Sequence, residues 1–89
     1  MSGHQFTIDD LRRILREAAG VDEGVDLDGD ILDLEFTSLG YDSVAVLESG
    51  SRIEREFGVS LDDDLLNESR TPRILIEVVN DLLAPSSAL

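Results

Sequence analysis

Cysteine, lysine and tryptophan are all missing from the 89-residue chain, which also has only one histidine and two prolines. Without cysteine, the protein can form neither a disulfide nor a thiolate zinc site. A nucleophilic serine needs a general base within hydrogen-bonding reach, and the only histidine, His4, lies close to the N-terminus. A serine hydrolase is therefore a poor interpretation, and a serine that reacts would have to be activated by another protein.

Basic residues are scarce, because seven arginines face twenty acidic residues and give a net charge of −13. Such a surface argues against nucleic-acid binding, which requires clustered lysine and arginine, and it favours attraction to basic surfaces of partner proteins. No apolar run has the length of a membrane span, and no secretory signal opens the chain. We therefore expect a cytoplasmic monomer with no membrane association.

Aromatic residues are also few, at 4%, and an acidic chain of this kind could be disordered. The apolar residues are periodic, however, and their spacing predicts a single small all-α domain. Three main helices are expected over about 7–19, 43–57 and 72–84, with a short helix over 63–67 and a long loop between the first two main helices. Thr7 with Asp10 forms a capping-box pattern, and Thr71 before Pro72 is typical of a helix start.

Helical spacing also predicts which residues face the core. The expected buried positions are Ile8, Leu11, Leu15 and Ala18 in the first helix; Val46, Gly50, Ile53 and Phe57 in the second; and Leu75, Ile76, Val79, Leu82 and Leu83 in the last. In the long loop, apolar side chains are expected to anchor the chain to the core, with one helical turn near Ile31; these are Leu27, Ile31, Leu34, Phe36 and Leu39.

Two features of the chain have more than one interpretation. The stretch "DLDGDILDLE" spaces its aspartates like a calcium loop, but Ile31 and Thr37 stand where such a loop requires glycine and glutamate, which favours a solvated acidic loop. Gly50 lies on the core side of a helix. Close packing of a neighbouring helix is the favoured explanation, and a shallow space for an acyl chain near Val46 and Ile53 is the alternative.

Ser43 poses the central question, since it follows Asp42 at the predicted start of the second helix. Serine and aspartate are the commonest helix caps, so the local sequence favours a purely structural role. A helix N-terminus, however, also favours a negatively charged group such as a phosphate. A serine there could carry an arm joined through a phosphodiester.

The segment "DILDLEFTSLGYDSVAVLESGSRIEREFGVSL", extended through "TPRILIEVVNDLL", resembles the acyl carrier proteins. The "LGYDS", "GVSL" and "TPR" sequences most resemble the carriers of bacterial type II (aromatic) polyketide synthases, which act in antibiotic biosynthesis. The resemblance implies 4′-phosphopantetheine, covalently attached to Ser43, and a carrier without catalytic activity that shuttles malonyl and polyketide thioesters. It also implies that partner enzymes recognise residues around the attachment site, namely Asp42, Val44, Leu47, Glu48 and Glu54.

The partners implied by the resemblance are a phosphopantetheinyl transferase, a ketosynthase–chain-length factor, an acyltransferase, and a ketoreductase with other tailoring enzymes. Four residues depart from the pattern of the family: Ser38, Ser51, Arg55 and Asp62. They affect partner choice rather than the modification. Three alternatives stay open, namely a fatty-acid carrier, a peptidyl carrier, and an acidic adaptor in which Ser43 is only a helix cap.

Overall fold

The computed structural model describes residues 5–20 and 26–83, and within these ranges the chain is helical with no β-strand. The four α-helices are α1 (Ile8–Ala19), α2 (Ser43–Phe57), α3 (Asp63–Glu68) and α4 (Pro72–Leu83). The expected all-α class, with three main helices, one short helix and a long first loop, is confirmed. Ala84, the predicted last residue of the final helix, lies outside the described residues.

The ends of α1 follow from local chemistry. The Thr7 hydroxyl accepts a hydrogen bond from the Asp10 backbone N–H, and the Asp10 carboxylate accepts one from the Thr7 N–H, which completes the predicted capping box. Gly20 ends the helix with a φ of 77°, a backbone conformation that favours glycine. At the start of α4, the Thr71 hydroxyl accepts from the Ile74 N–H, as the sequence predicts.

The core lies where α1 packs against α2 and α4, and α3 also packs against α2 and contributes Leu66 to the core. Leu11, Leu15, Ile53, Leu75 and Val79 are all buried, as their spacing predicts.

Five buried core residues were not among the expected ones, and these are Phe6, Ile14, Tyr41, Leu61 and Leu66. Leu82 was expected in the core, and that prediction is wrong because 45% of it is exposed. Helical periodicity fixes the side of a helix on which a residue lies, but not whether another element reaches that turn.

The loop between α1 and α2 is anchored to the core by four of the five predicted residues, which are Leu27, Ile31, Phe36 and Leu39. Leu34 is 45% exposed, so its predicted burial is wrong. The prediction of a helical turn near Ile31 is also wrong. Residues 31–34 form a simple turn, in which the Leu34 N–H donates to the Ile31 carbonyl, and the helical turn of the loop is a 3-10 helix over Phe36–Leu39.

Hydrogen bonds fix this loop at several points. The Arg12 guanidinium donates to the carbonyl oxygens of Leu27 and Gly29, at 2.6 and 2.9 Å. The Arg73 N–H donates to the Leu32 carbonyl, and the Phe36 N–H donates to the Arg70 carbonyl. The loop is thus held against both α1 and the start of α4, and it delivers the chain to the start of α2 in a defined position. No helix among the described residues is both long and apolar enough to cross a membrane.

Candidate functional site

The backbone before α2 makes a sharp turn that presents Ser43. Gly40 ends the 3-10 helix with a φ of 88°, in the left-handed region where side chains are disfavoured. Tyr41 then turns into the core, where its hydroxyl donates to the Gly20 carbonyl at 2.9 Å. This bond links the end of α1 to the start of α2, and Ser43 follows two residues later as the first residue of α2.

Asp42, and not Ser43, caps α2. The Asp42 carboxylate accepts a hydrogen bond from the Ala45 N–H at 2.9 Å. Ser43 is exposed, and its hydroxyl has no hydrogen-bond partner among the described residues. The structural role that the local sequence favoured for Ser43 therefore belongs to its neighbour, and the Ser43 hydroxyl is accessible for modification.

A cleft of about 350 Å³ opens beside Ser43, between α2, the 3-10 helix, and α3 with the segment that follows it. Its apolar wall includes Phe36, Val46 and Leu66. Charged and polar groups complete its lining, and these are Glu35, Thr37, Asp42, Asn67, Ser69 and Arg70, together with Tyr41 and Ser43 itself. A group attached to Ser43 thus starts at the edge of a mixed polar and apolar cleft.

Gly50 is explained by close packing between α2 and α3. A Cβ atom at Gly50 would lie 2.6 and 2.9 Å from the two Cδ atoms of Leu66, distances that real Cβ atoms essentially never show. Leu66 therefore fills the space that the alternative interpretation assigned to an acyl chain, and Ile53 is fully buried. The open cleft lies nearer Ser43, and of the residues proposed to form the acyl space only Val46 lines it.

The residues of α2 expected to meet partners occupy three different environments. Val44 is 62% exposed and Glu48 is exposed, so both are accessible on the outward side of the helix. Leu47 is half-buried and packs against the core cluster. Glu54 is also half-buried, and its carboxylate accepts a hydrogen bond from the Leu61 N–H at 2.6 Å, which holds the connection between α2 and α3. No local sequence pattern indicates this intramolecular bond.

Ion pairs join α1 to the far end of α2. Arg13 donates to both oxygens of the Glu56 carboxylate, at 2.7 and 3.3 Å, and this hydrogen-bonded pair lowers the pKa of Glu56 below its ordinary value. Arg52 and Arg13 also both contact Glu17 on α1. This network links α1 to the end of α2 opposite Ser43.

Comparison with known proteins agrees with this geometry. A family model described as "Phosphopantetheine attachment site" matches residues 9–79. The chain belongs to this family, the phosphopantetheine-bearing acyl carrier proteins. Its members carry substrates and do not catalyse reactions, and their prosthetic group is covalently attached 4′-phosphopantetheine.

Individual relatives are similar over nearly their full length. The granaticin polyketide synthase acyl carrier protein of Streptomyces violaceoruber is 55% identical, over 93% of this chain and 98% of the relative. The monensin polyketide synthase acyl carrier protein of Streptomyces virginiae is 58% identical, over 94% of each. The solved structure of the 3-oxo-butyl form of the actinorhodin carrier of Streptomyces coelicolor has a TM-score of 0.84 and 46% identity, over 98% of this chain and 100% of that one.

The residues around Ser43 fit the prosthetic group of the family. The Ser43 hydroxyl is exposed and has no hydrogen-bond partner within residues 5–20 and 26–83. The neighbouring Asp42 provides the helix cap, and the adjoining cleft has space for the first part of a flexible arm.

Proposed function

We propose that this protein is the acyl carrier protein of a type II polyketide synthase, a single carrier domain that bears 4′-phosphopantetheine on Ser43. The observation that carries the proposal is the state of Ser43: an exposed hydroxyl without a hydrogen-bond partner in the described ranges, at the first residue of α2 and at the edge of a cleft. The similarity to polyketide carriers over more than nine tenths of the chain supports the choice of pathway.

The chain contributes positioning rather than catalysis. When bound, the arm supplies a thiol that carries malonyl units and growing poly-β-keto chains as thioesters. Asp42 holds the first turn of α2, so that the Ser43 oxygen stays exposed to the transferase. The protein has no cysteine, so no thiol of its own competes for acyl groups. Tethering raises the effective concentration of the substrate at each partner enzyme.

The cleft beside Ser43 is the site proposed for the part of an acyl chain that lies nearest the thioester. Val46 and Leu66 supply its apolar surface, whereas Ile53 lies inside the core. Loading the carrier with a hydrophobic acyl group should shift the NMR resonances of Val46 and Leu66 and leave those of Ile53 unchanged. Equal shifts at all three, or none at Val46, would argue against the cleft.

Partner enzymes are proposed to dock on the start and outward side of α2, in the cytoplasm, with the carrier as a monomer. The proposed partners are the phosphopantetheinyl transferase, the ketosynthase–chain-length factor, the acyltransferase, and the ketoreductase and other tailoring enzymes. Val44 and Glu48 offer an exposed apolar side chain and an exposed charge. Asp42, Leu47 and Glu54 belong to the same proposed surface, although Asp42 and Glu54 also make the intramolecular bonds described above.

The docking surface can be tested with a pair of charge reversals. Glu48→Arg changes the proposed surface, and Asp81→Arg makes the same change at an exposed position on α4. We expect the first variant to bind the ketosynthase–chain-length factor several-fold more weakly and the second to bind as wild type does. Wild-type affinity should also fall as salt is added. Equal effects of the two variants would exclude α2 as the docking helix.

The pathway is tested by supplying malonyl-loaded protein to two enzymes, a type II polyketide ketosynthase–chain-length factor and a fatty-acid ketosynthase. The proposal predicts condensation with the first and little with the second. Turnover by the fatty-acid enzyme alone would identify a fatty-acid carrier instead. Ser43→Ala is the control for loading.

A further inference from the structure

The seven arginines divide into two groups. Five take part in ion pairs with carboxylates, and these are Arg12, Arg13, Arg16, Arg52 and Arg73. Arg55 and Arg70 make no ion pair among residues 5–20 and 26–83, although the chain has nearly three acidic residues for each basic one. In so acidic a protein, an arginine without a carboxylate partner calls for a separate explanation.

Arg70 has a fixed backbone and an exposed side chain. Its carbonyl accepts a hydrogen bond from the Phe36 N–H at 2.9 Å, and its own N–H donates to the Glu68 carbonyl at 3.0 Å. These bonds hold the residue at the junction of α3, α4 and the long loop. From there Arg70 lines the same cleft as Ser43. Arg55, by contrast, lines a different groove, between α1 and α2, together with Glu48 and Ser51.

The charges around the cleft give Arg70 a role. Glu35 and Asp42 are the two carboxylates that line the cleft, and Arg70 is the one basic residue among its lining groups in the described part of the chain. A phosphodiester on Ser43 adds another negative charge next to Asp42. Like charges this close repel, whereas a guanidinium binds phosphate oxygens through charge-assisted hydrogen bonds.

We propose that Arg70 is a positioning residue that binds the phosphodiester of the prosthetic arm on Ser43. This inference rests on the proposed attachment site. Arg70 offsets the repulsion from Glu35 and Asp42 and orients the first part of the arm along the cleft. The contact is exposed, so it shifts the ratio of bound to free arm by only about two- to fivefold, which leaves the arm free to leave for a partner enzyme.

NMR on the apo protein and on the phosphopantetheine-bearing form tests the proposal. Mass spectrometry first verifies the loading, so that a failure of attachment at Ser43 is recognised before Arg70 is examined. In wild type, the Nε–Hε resonance of Arg70 should shift on conversion from apo to loaded protein, and the shift should decrease as salt is added. The Nε–Hε resonance of Arg55 should not move.

Variants extend the test to the phosphorus atom. The ³¹P resonance of the loaded protein should change position in Arg70→Gln and stay at its wild-type position in the matched control Arg55→Gln. Arg70→Lys, which keeps the charge but not the planar donor pair, should lie between the two. An unchanged ³¹P resonance in Arg70→Gln would overturn the proposal.

The carboxylate of a malonyl group on the arm offers the Arg70 guanidinium the same kind of contact as the phosphodiester. Comparison of the acetyl and malonyl forms of the carrier distinguishes the two contacts. A phosphodiester contact predicts the same Arg70 shift in both forms. A shift that appears only with malonyl would assign Arg70 to the cargo and contradict the phosphodiester assignment.

Discussion

Gly50→Ala is predicted to destabilise the protein even though alanine is the better helix former. In an open helix the substitution would stabilise by about 1 kcal/mol. Here the new Cβ would lie 2.6 and 2.9 Å from the Cδ atoms of Leu66, a buried side chain that has to move. Overpacking of this kind costs about 1–3 kcal/mol. The two effects together predict a net loss of about 1 kcal/mol.

The contact between position 50 and Leu66 is isolated by making Gly50→Ala in the Leu66→Val variant as well. Leu66→Val removes both Cδ atoms, so in that background Gly50→Ala should become stabilising by about 0.5–1 kcal/mol. Urea denaturation of the four proteins, followed by circular dichroism, gives the free energies of unfolding. If Gly50→Ala stabilises the wild-type background, or has the same effect in both backgrounds, the proposed packing of α3 on α2 is wrong. Because Leu66 also lines the cleft beside Ser43, the comparison of the four proteins also reports on a wall of the candidate site.

Three further predictions concern α2. Asp42→Ala should lower the free energy of unfolding by about 1 kcal/mol, because α2 loses its cap. Asp42→Asn should keep the stability, and it should slow modification by the transferase if that enzyme recognises the charge of Asp42. Urea titration measures the stability, and a time course of modification measures the recognition. Glu54→Ala should destabilise by about 1–2 kcal/mol because it removes the acceptor of the Leu61 N–H, and Glu54→Gln, which retains an oxygen acceptor, should cost less in the same assay. The hydrogen bond from Arg13 lowers the pKa of Glu56 below 4.5, so this pair stabilises the fold fully above about pH 4.5 and loses its effect as the pH falls through the lowered value. For so exposed a pair, wild type and Glu56→Gln should differ in stability by at most about 1 kcal/mol near neutral pH. This difference should vanish in acid, and a difference that grows in acid would contradict the assignment.

Local sequence signals predicted the helices well because caps and periodicity act over a few residues. The Thr7–Asp10 capping box and the Thr71–Pro72 start both correspond to helix ends in the structure. The long loop was harder to predict, since a loop has no fixed period. Leu34 therefore could not be distinguished from the loop residues that are buried.

The details of the candidate site depend on contacts between distant segments. The ring of Tyr41 packs in the core, and its hydroxyl can be buried since it donates to the Gly20 carbonyl, 21 residues earlier, a partner that no local pattern reveals. Asp42 and Ser43 differ by one position as candidate caps of α2, and sequence does not predict a helix boundary to within one residue. The resemblance to a family predicts Ser43 as the attachment site, and the geometry supports this proposal, because the adjacent aspartate caps the helix and leaves the serine hydroxyl exposed.

The central claim, that Ser43 bears the prosthetic arm, is tested most directly by intact-protein mass spectrometry after incubation with coenzyme A and a phosphopantetheinyl transferase. The account predicts that wild type gains the mass of one phosphopantetheine group, that fragmentation places it on Ser43, and that Ser43→Ala gains nothing. Ser51→Ala, which changes another exposed serine of α2, should be modified as wild type is. No addition to folded wild-type protein, or an addition that persists in Ser43→Ala, would contradict the account.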